Sequence, residues 1–183
     1  MSFGIAILRA VVGGLFIGHG LQKLLGKFGG HGIEGTAGFF ESLGLRPGKV
    51  HATAAGLAET GGGALLLAGA ATPLGAAAVT GTMTVAIEKV HRPKGPWVSD
   101  GGYEYNAVLM AAVFAITAAG PGALSLDRRR WGTGWAVAQL AAGVGGGLAL
   151  IKFAESQDSE PQAPASERFA REPEAAVSES TVR

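Results

Sequence analysis

Between Val50 and Ala71 the chain reads VHATAAGLAETGGGALLLAGAA, an apolar run with a single acid, Glu59, and no base except His51 at its edge. A helix rises about 1.5 Å per residue, and roughly 20 apolar residues cross the hydrocarbon core of a bilayer. Glu59 then lies on the order of 13 Å inside the run. A carboxylate at that depth is costly in lipid, so it must face protein and hold a partner. This restricts the fold to packed spanning helices that bring a cationic side chain to Glu59.

Four further runs fit the same ruler: about Phe3–Leu25, Pro73–Val90, Tyr103–Ala119 and Gly134–Phe153. Thr72–Pro73 makes a tight turn into the third span, because proline suits a helix start. Arg9 interrupts the first run and no small-residue cleavage site follows, so it reads as a span, not a removed signal. The last run holds Gly143, Gly145, Gly146 and Gly147, which lower helix propensity. Gly14-xxx-Gly18 and Gly143-xxx-Gly147 have the spacing that lets membrane helices approach closely. Thr36 is placed to cap a short amphipathic helix carrying Phe39, Phe40, Leu43 and Leu45, lying over the bundle.

Charge follows the same division. Charged residues make up 16% of the chain, against about 25% in soluble domains. The stretch 154–183 is rich in Glu, Ser, Pro and Ala, a composition expected of a disordered acidic tail. The expected fold is therefore all-α. Residues 1–127 form a polytopic transmembrane four-helix bundle, 128–153 a basic loop and a fifth C-terminal transmembrane helix, and 154–183 the tail. With no cysteine, disulfides, thiolate nucleophiles and cysteine-ligated clusters are excluded. Scattered basic residues argue against nucleic acid as a partner. The lipid membrane is the first partner, and a multi-pass place in the cell (cytoplasmic) membrane follows. Arg128, Arg129 and Arg130 are the densest basic cluster and put their loop and the N-terminus in the cytoplasm. Lys27, Arg46, Lys49, Arg92 and Lys94 then face outside, against the rule. Trp97, Tyr103 and Tyr105 are expected at one interface, Trp131 and Trp135 at the other.

Antiparallel helices gather the polar residues at one side. The first span ends with His19, Gln22 and Lys23, and the second carries Glu59. The third ends with Glu88, Lys89 and His91, and the fourth begins with Tyr103, Glu104, Tyr105 and Asn106. His19 and Lys23 share a helix face, as do Glu88 and His91. Lys23 is the natural counter-ion for Glu59 or Glu104. The opposite halves of these helices hold almost nothing ionisable except Arg9. The plainer alternative is an ion-pair network that only fixes helix register. The functional one is a headgroup pocket in which carboxylate, imidazole and phenol exchange protons. Two metal readings are weaker. Glu88-x-x-His91 has di-iron spacing, but such sites need two of these motifs and further acids. Haem between His19 and His91 competes with ordinary interfacial hydrogen bonding. No metal is assigned, and His31 and His51 take no role.

The segments GLFIGHGLQKLLG (14–26), AGFFESLGL (37–45), AETGGGALLLAG (58–69), VAIEKVH (85–91), GGYEYNAVLM (101–110) and GPGALSLD (120–127) resemble the DoxX family, over roughly residues 4–127. The resemblance implies a four-helix membrane bundle whose recurring polar positions fall on Gln22, Lys23, Glu59, His91 and Glu104. It also implies association with quinone-linked oxidoreductases such as thiosulfate:quinone oxidoreductase or a terminal quinol oxidase, and carries no catalytic assignment. The expected function is a membrane subunit of a redox complex, non-catalytic or quinone-binding, with a quinone-like headgroup among His19, Gln22, Lys23, Glu59, Glu88, His91, Tyr103 and Glu104. Partners are then other subunits or further copies of the chain. A scaffold for soluble redox enzymes is the alternative. A small-molecule or proton transporter ranks lower, because internal repeats and midplane breaks are missing.

Overall fold

The computed structural model describes residues 2–158. Ser2 accepts a hydrogen bond from the Ile5 amide at 3.3 Å and so caps α1, Phe3–Leu25, which ends at Gly26 in the left-handed region that glycine adopts freely. The chain continues through α2 (Gly32–Ser42), α3 (Gly48–Ala68), α4 (Thr72–Ala86), α5 (Glu104–Ala119) and α6 (Thr133–Asp158). The last turn of α4 widens into a π turn, Ile87–His91. The fold is all-α, with no strand among the described residues.

The five apolar runs all fold as helices. Two of these, α1 and α6, are long and apolar enough to cross a membrane, and α5 is a shorter apolar helix. The second run falls short of such a span because His51, Glu59 and the glycines and threonines of α3 lower its hydropathy, and the third because α4 keeps α-helical form for only 15 residues. Glycines in α6 do not break it, because Gly143 and Gly147 lie directly against α4. A β-carbon on Gly147 would come within 2.9 Å of the Gly81 carbonyl and Thr84. Thr80 adds a polar link between the same two helices, its hydroxyl 3.2 Å from Gln139 Oε1.

At the α1–α3 contact the expected motif is turned away. Gly14 and Gly18 have nothing within 4 Å, whereas Gly13 and Gly20 face Gly63 and Gly56 of α3 with no room for a β-carbon. Helical phase explains the difference: Val12, Gly13, Phe16 and Gly20 share the buried face, which leaves positions 14 and 18 rotated off it. Phe16 meets Leu66, Val79, Met83 and Val113 in the apolar core between α1, α3, α4 and α5. Thr36 is not a cap; it is buried inside α2, which lies on α3 and starts at His31 without a side-chain cap. α6 continues to Asp158, past residue 154, the expected start of the acidic tail; residues 159–183 lie outside the described residues.

Hydrogen bonds, backbone at one end and side-chain at the other, define two ends. The Ala123 amide donates to Ser2 O, and the amides of Leu126 and Asp127 donate to Ala68 O and Gly69 O. These tie the N-terminus, the α3–α4 turn and the α5–α6 loop together at one end. At the other end, His91 and Lys89 reach Gly101 and Glu155, joining the end of α4 to the start of α5 and the end of α6.

Candidate functional site

Towards the second end, the helices leave a cavity of about 700 Å³. Its walls are largely apolar: Phe16 from α1, Phe39 and Phe40 from α2, alanines from α3 and α4, Leu109 from α5 and Leu150 from α6. Few side chains there can ionise or hydrogen-bond, so each polar group that reaches the cavity matters.

The first is the pair expected from sequence. Lys23 Nζ lies 2.6 Å from Glu59 Oε2, joining α1 to α3, with the carboxylate almost wholly buried and Lys23 one quarter exposed. Both line the cavity. Of the two counter-ion candidates, Glu59 takes Lys23; Glu104 does not. A buried charge of this kind is tolerated only when paired.

Three histidines line the same space with partners that settle their protons. A carbonyl only accepts, so Nδ1 of His91 carries hydrogen toward Gly101 O at 2.7 Å, and in the neutral ring Nε2 is the lone pair. By the same argument His51 donates from Nε2 to Arg46 O at 3.1 Å. Gln22 donates from Nε2 to Phe28 O, so its Oε1 accepts from His19 Nδ1 at 3.0 Å. Lys89 and His91 line the cavity from the π turn, and such turns in α-helices recur at functional positions. Lys89 also holds Glu155 of α6 at 3.1 Å.

The other expected residues are placed elsewhere. Gln22 lines a smaller adjoining cavity of about 320 Å³ with His31 and Thr36. Glu88 turns outward to Arg92 at 2.6 Å, the next turn of its own helix, which separates it from His91 and leaves the di-iron spacing unused. Glu104 accepts the Val98 amide at 2.8 Å and so closes the 96–104 loop. Tyr103 is not part of the cavity wall; Tyr105 and Asn106 are, with Asn106 donating to Met83 Sδ at 3.2 Å. His51, left without a role by sequence, is buried on the wall. Its signal was weak: a histidine at a helix start looks exposed until α2 folds over it.

The opposite end holds a second polar arrangement. Arg9, buried in α1, donates to the carbonyls of Pro121, Ala123 and Leu124, the last at 2.8 Å. Asp127, in the same loop, receives the amides of Ala71 and Thr72, the Thr72 hydroxyl at 2.6 Å and Trp131 Nε1 at 2.9 Å. It thereby caps α4 from a distant part of the chain. Burial pushes its carboxyl pKa up, but the hydrogen bonds from Thr72, Trp131 and Ala71 outweigh burial and hold it below the ordinary value.

Residues 4–92 match the family model DoxX, a family of membrane proteins. The match covers less than the 4–127 resemblance and ends before α5. No curated protein and no solved structure matches the chain.

Proposed function

We propose, for a chain that carries a DoxX domain over residues 4–92, that its cavity takes the headgroup of a quinone-like lipid as part of a membrane redox complex. The observation that carries this reading is the Lys23–Glu59 pair on the wall of a largely apolar space of about 700 Å³. A quinone needs an apolar slot, a donor for its carbonyl oxygens and an acceptor for the protons its reduced form releases. Lys23 supplies a cationic donor, and the phenol of Tyr105 and the amide of Asn106 supply neutral ones. Glu59 and the free ring nitrogen of His91 are the proton acceptors. Oxidation of a quinol releases two protons and two electrons. Glu59 and His91 each take one proton, and the electrons pass to a redox centre on a partner subunit, which is the reason for proposing a complex.

In this reading α3, α4 with its π turn, and α5 cross the bilayer beside α1 and α6. The N-terminus is cytoplasmic and the cavity end faces outward at the cell membrane. At about 1.5 Å per residue α3 is roughly 32 Å long, enough for the hydrocarbon core.

The test uses protein purified from membranes in mild detergent and extracted for bound quinone, alongside quinol-linked oxygen uptake by the membranes. We expect quinone to co-purify with wild type, and Glu59→Gln to lose it while remaining folded. Protein that carries no quinone, together with unchanged quinol oxidation in Glu59→Gln, would sink the proposal.

A further inference from the structure

At the end of the molecule away from the cavity, three adjacent arginines hold no carboxylate among the described residues. Arg128, Arg129 and Arg130 are all exposed. At the cavity end Lys23, Lys49, Lys89 and Arg92 each hold a carboxylate, and Lys27 and Lys94, which form no ion pair among the described residues, are far apart in sequence. The one acid within the arginine loop, Asp127, is already committed to the start of α4 and to Trp131. α6 runs from Thr133, beside the arginine loop, to Asp158, a helix length of about 38 Å away.

The same loop exposes large apolar side chains. Leu124 is 84% exposed and Leu126 72%, and Trp135 is half-exposed in the first turn of α6. Arg129 lies over the rings of Trp131 and Trp135 at 5.5 and 5.9 Å, and the two indoles pack edge to face at 5.2 Å. The backbone of this patch is held by two side chains: buried Arg9 donates to the Pro121, Ala123 and Leu124 carbonyls, and half-buried Asp127 anchors the Trp131 ring. Leucine and tryptophan side chains therefore sit beside three guanidinium groups on a loop whose backbone is held in place.

We infer that the 124–135 loop is a binding site for acidic phospholipids, with Arg128–Arg130 holding headgroup phosphates while Leu124, Leu126 and Trp135 enter the interfacial region of the leaflet. Guanidinium groups bind phosphate oxygens through paired N–H donors, and amphipathic indoles settle at the headgroup level. Apolar side chains without basic neighbours would suit any lipid; the adjacent arginines select for negative charge.

The experiment titrates the full chain in detergent micelles with phosphatidylglycerol, phosphatidylcholine or inorganic phosphate, following the thermal midpoint and the lipid retained on native mass spectrometry. Phosphatidylglycerol is expected to raise the midpoint and stay bound, with no response to phosphatidylcholine or inorganic phosphate. R128Q/R129Q/R130Q is expected to keep its midpoint in detergent alone and to lose on the order of a hundredfold in affinity for phosphatidylglycerol, about fivefold per arginine. K27Q/K94Q, at the other end, is expected to respond as wild type does. The inference is overturned if the triple variant responds as wild type does, if phosphatidylcholine acts equally, if inorganic phosphate reproduces the shift, or if K27Q/K94Q is the variant that loses it.

Discussion

Glu59 is held by one cation, so the two residues form a unit whose parts are not separable. Lys23→Met leaves a carboxylate buried without a counter-charge, a change that costs on the order of 3 kcal/mol when neither group is well solvated. Lys23→Met/Glu59→Met removes both charges and is expected to recover most of that loss, measured by thermal unfolding in detergent with all four members of the cycle. A double variant no more stable than Lys23→Met alone would show that the two side chains are not coupled. Asp127 gives a pH-dependent counterpart outside the helices. Its pKa is lowered on folding, so its stabilising contribution is fully present above the unfolded value near 3.8 and disappears as pH falls through the lower folded value. Asp127→Asn should therefore be less stable than wild type by about 1–3 kcal/mol at pH 6, with the difference shrinking below about pH 4. Unfolding curves that stay parallel down to pH 2.5 would refute that account. The Lys23 pairing was legible in sequence because a lone carboxylate in an apolar run demands a cation. The Glu104 contact was not, because it depends on the 96–104 loop folding its Val98 amide back onto the helix start.

Helix positions were legible from apolar length alone, whereas helix faces were not. The runs around 3–25 and 134–153 became α1 and α6, but glycine spacing predicted one helix contact and missed another. Gly143 and Gly147 lie against Thr80, Gly81 and Thr84, while Gly14 and Gly18 are rotated away from the α1–α3 contact by the phase of Val12 and Phe16. The π turn at Ile87–His91 also lay beyond sequence reasoning, since nothing in IEKVH departs from ordinary helix composition. Without it, regular α-helical phase would place Lys89 and His91 differently around α4. The glycines give a controlled test of the α4–α6 contact. Gly147→Val forces a side chain into Gly81 and Thr84, and overpacking of this kind costs about 1–3 kcal/mol. Gly145→Val, two residues away with nothing within 4 Å, adds the same side chain to open space. The expected result is a lowered thermal midpoint for Gly147→Val and little change for Gly145→Val. Equal effects would mean that helix propensity, and not contact with α4, sets the stability of α6.

The molecule as a whole has two unlike ends. One carries the cavity with its carboxylate-paired bases, and the other the Arg9–Asp127 loop and the three adjacent arginines. Sequence reasoning reached the first end through the clustering of His19, Lys23, Glu59 and His91, but treated Arg9 as a solitary exception because its partners are backbone carbonyls, which leave no mark in composition. Which end faces which compartment follows from the number of crossings. If α1, α3, α4, α5 and α6 all span, Ser2 lies on one face of the membrane, and Ser99 and Ser156 on the other. All three serines are exposed, and the chain has no cysteine, so each can be replaced by the single reactive thiol in the protein. In intact cells a membrane-impermeant maleimide is expected to label Ser99→Cys and Ser156→Cys, with Ser2→Cys reacting only after permeabilisation. Labelling of Ser2→Cys alone would keep five spans and reverse the orientation, placing the cavity end in the cytoplasm. Labelling that divides Ser99→Cys from Ser156→Cys would mean that α5 and α6 do not both cross. The paired helices around the cavity would then need a different relation to the bilayer.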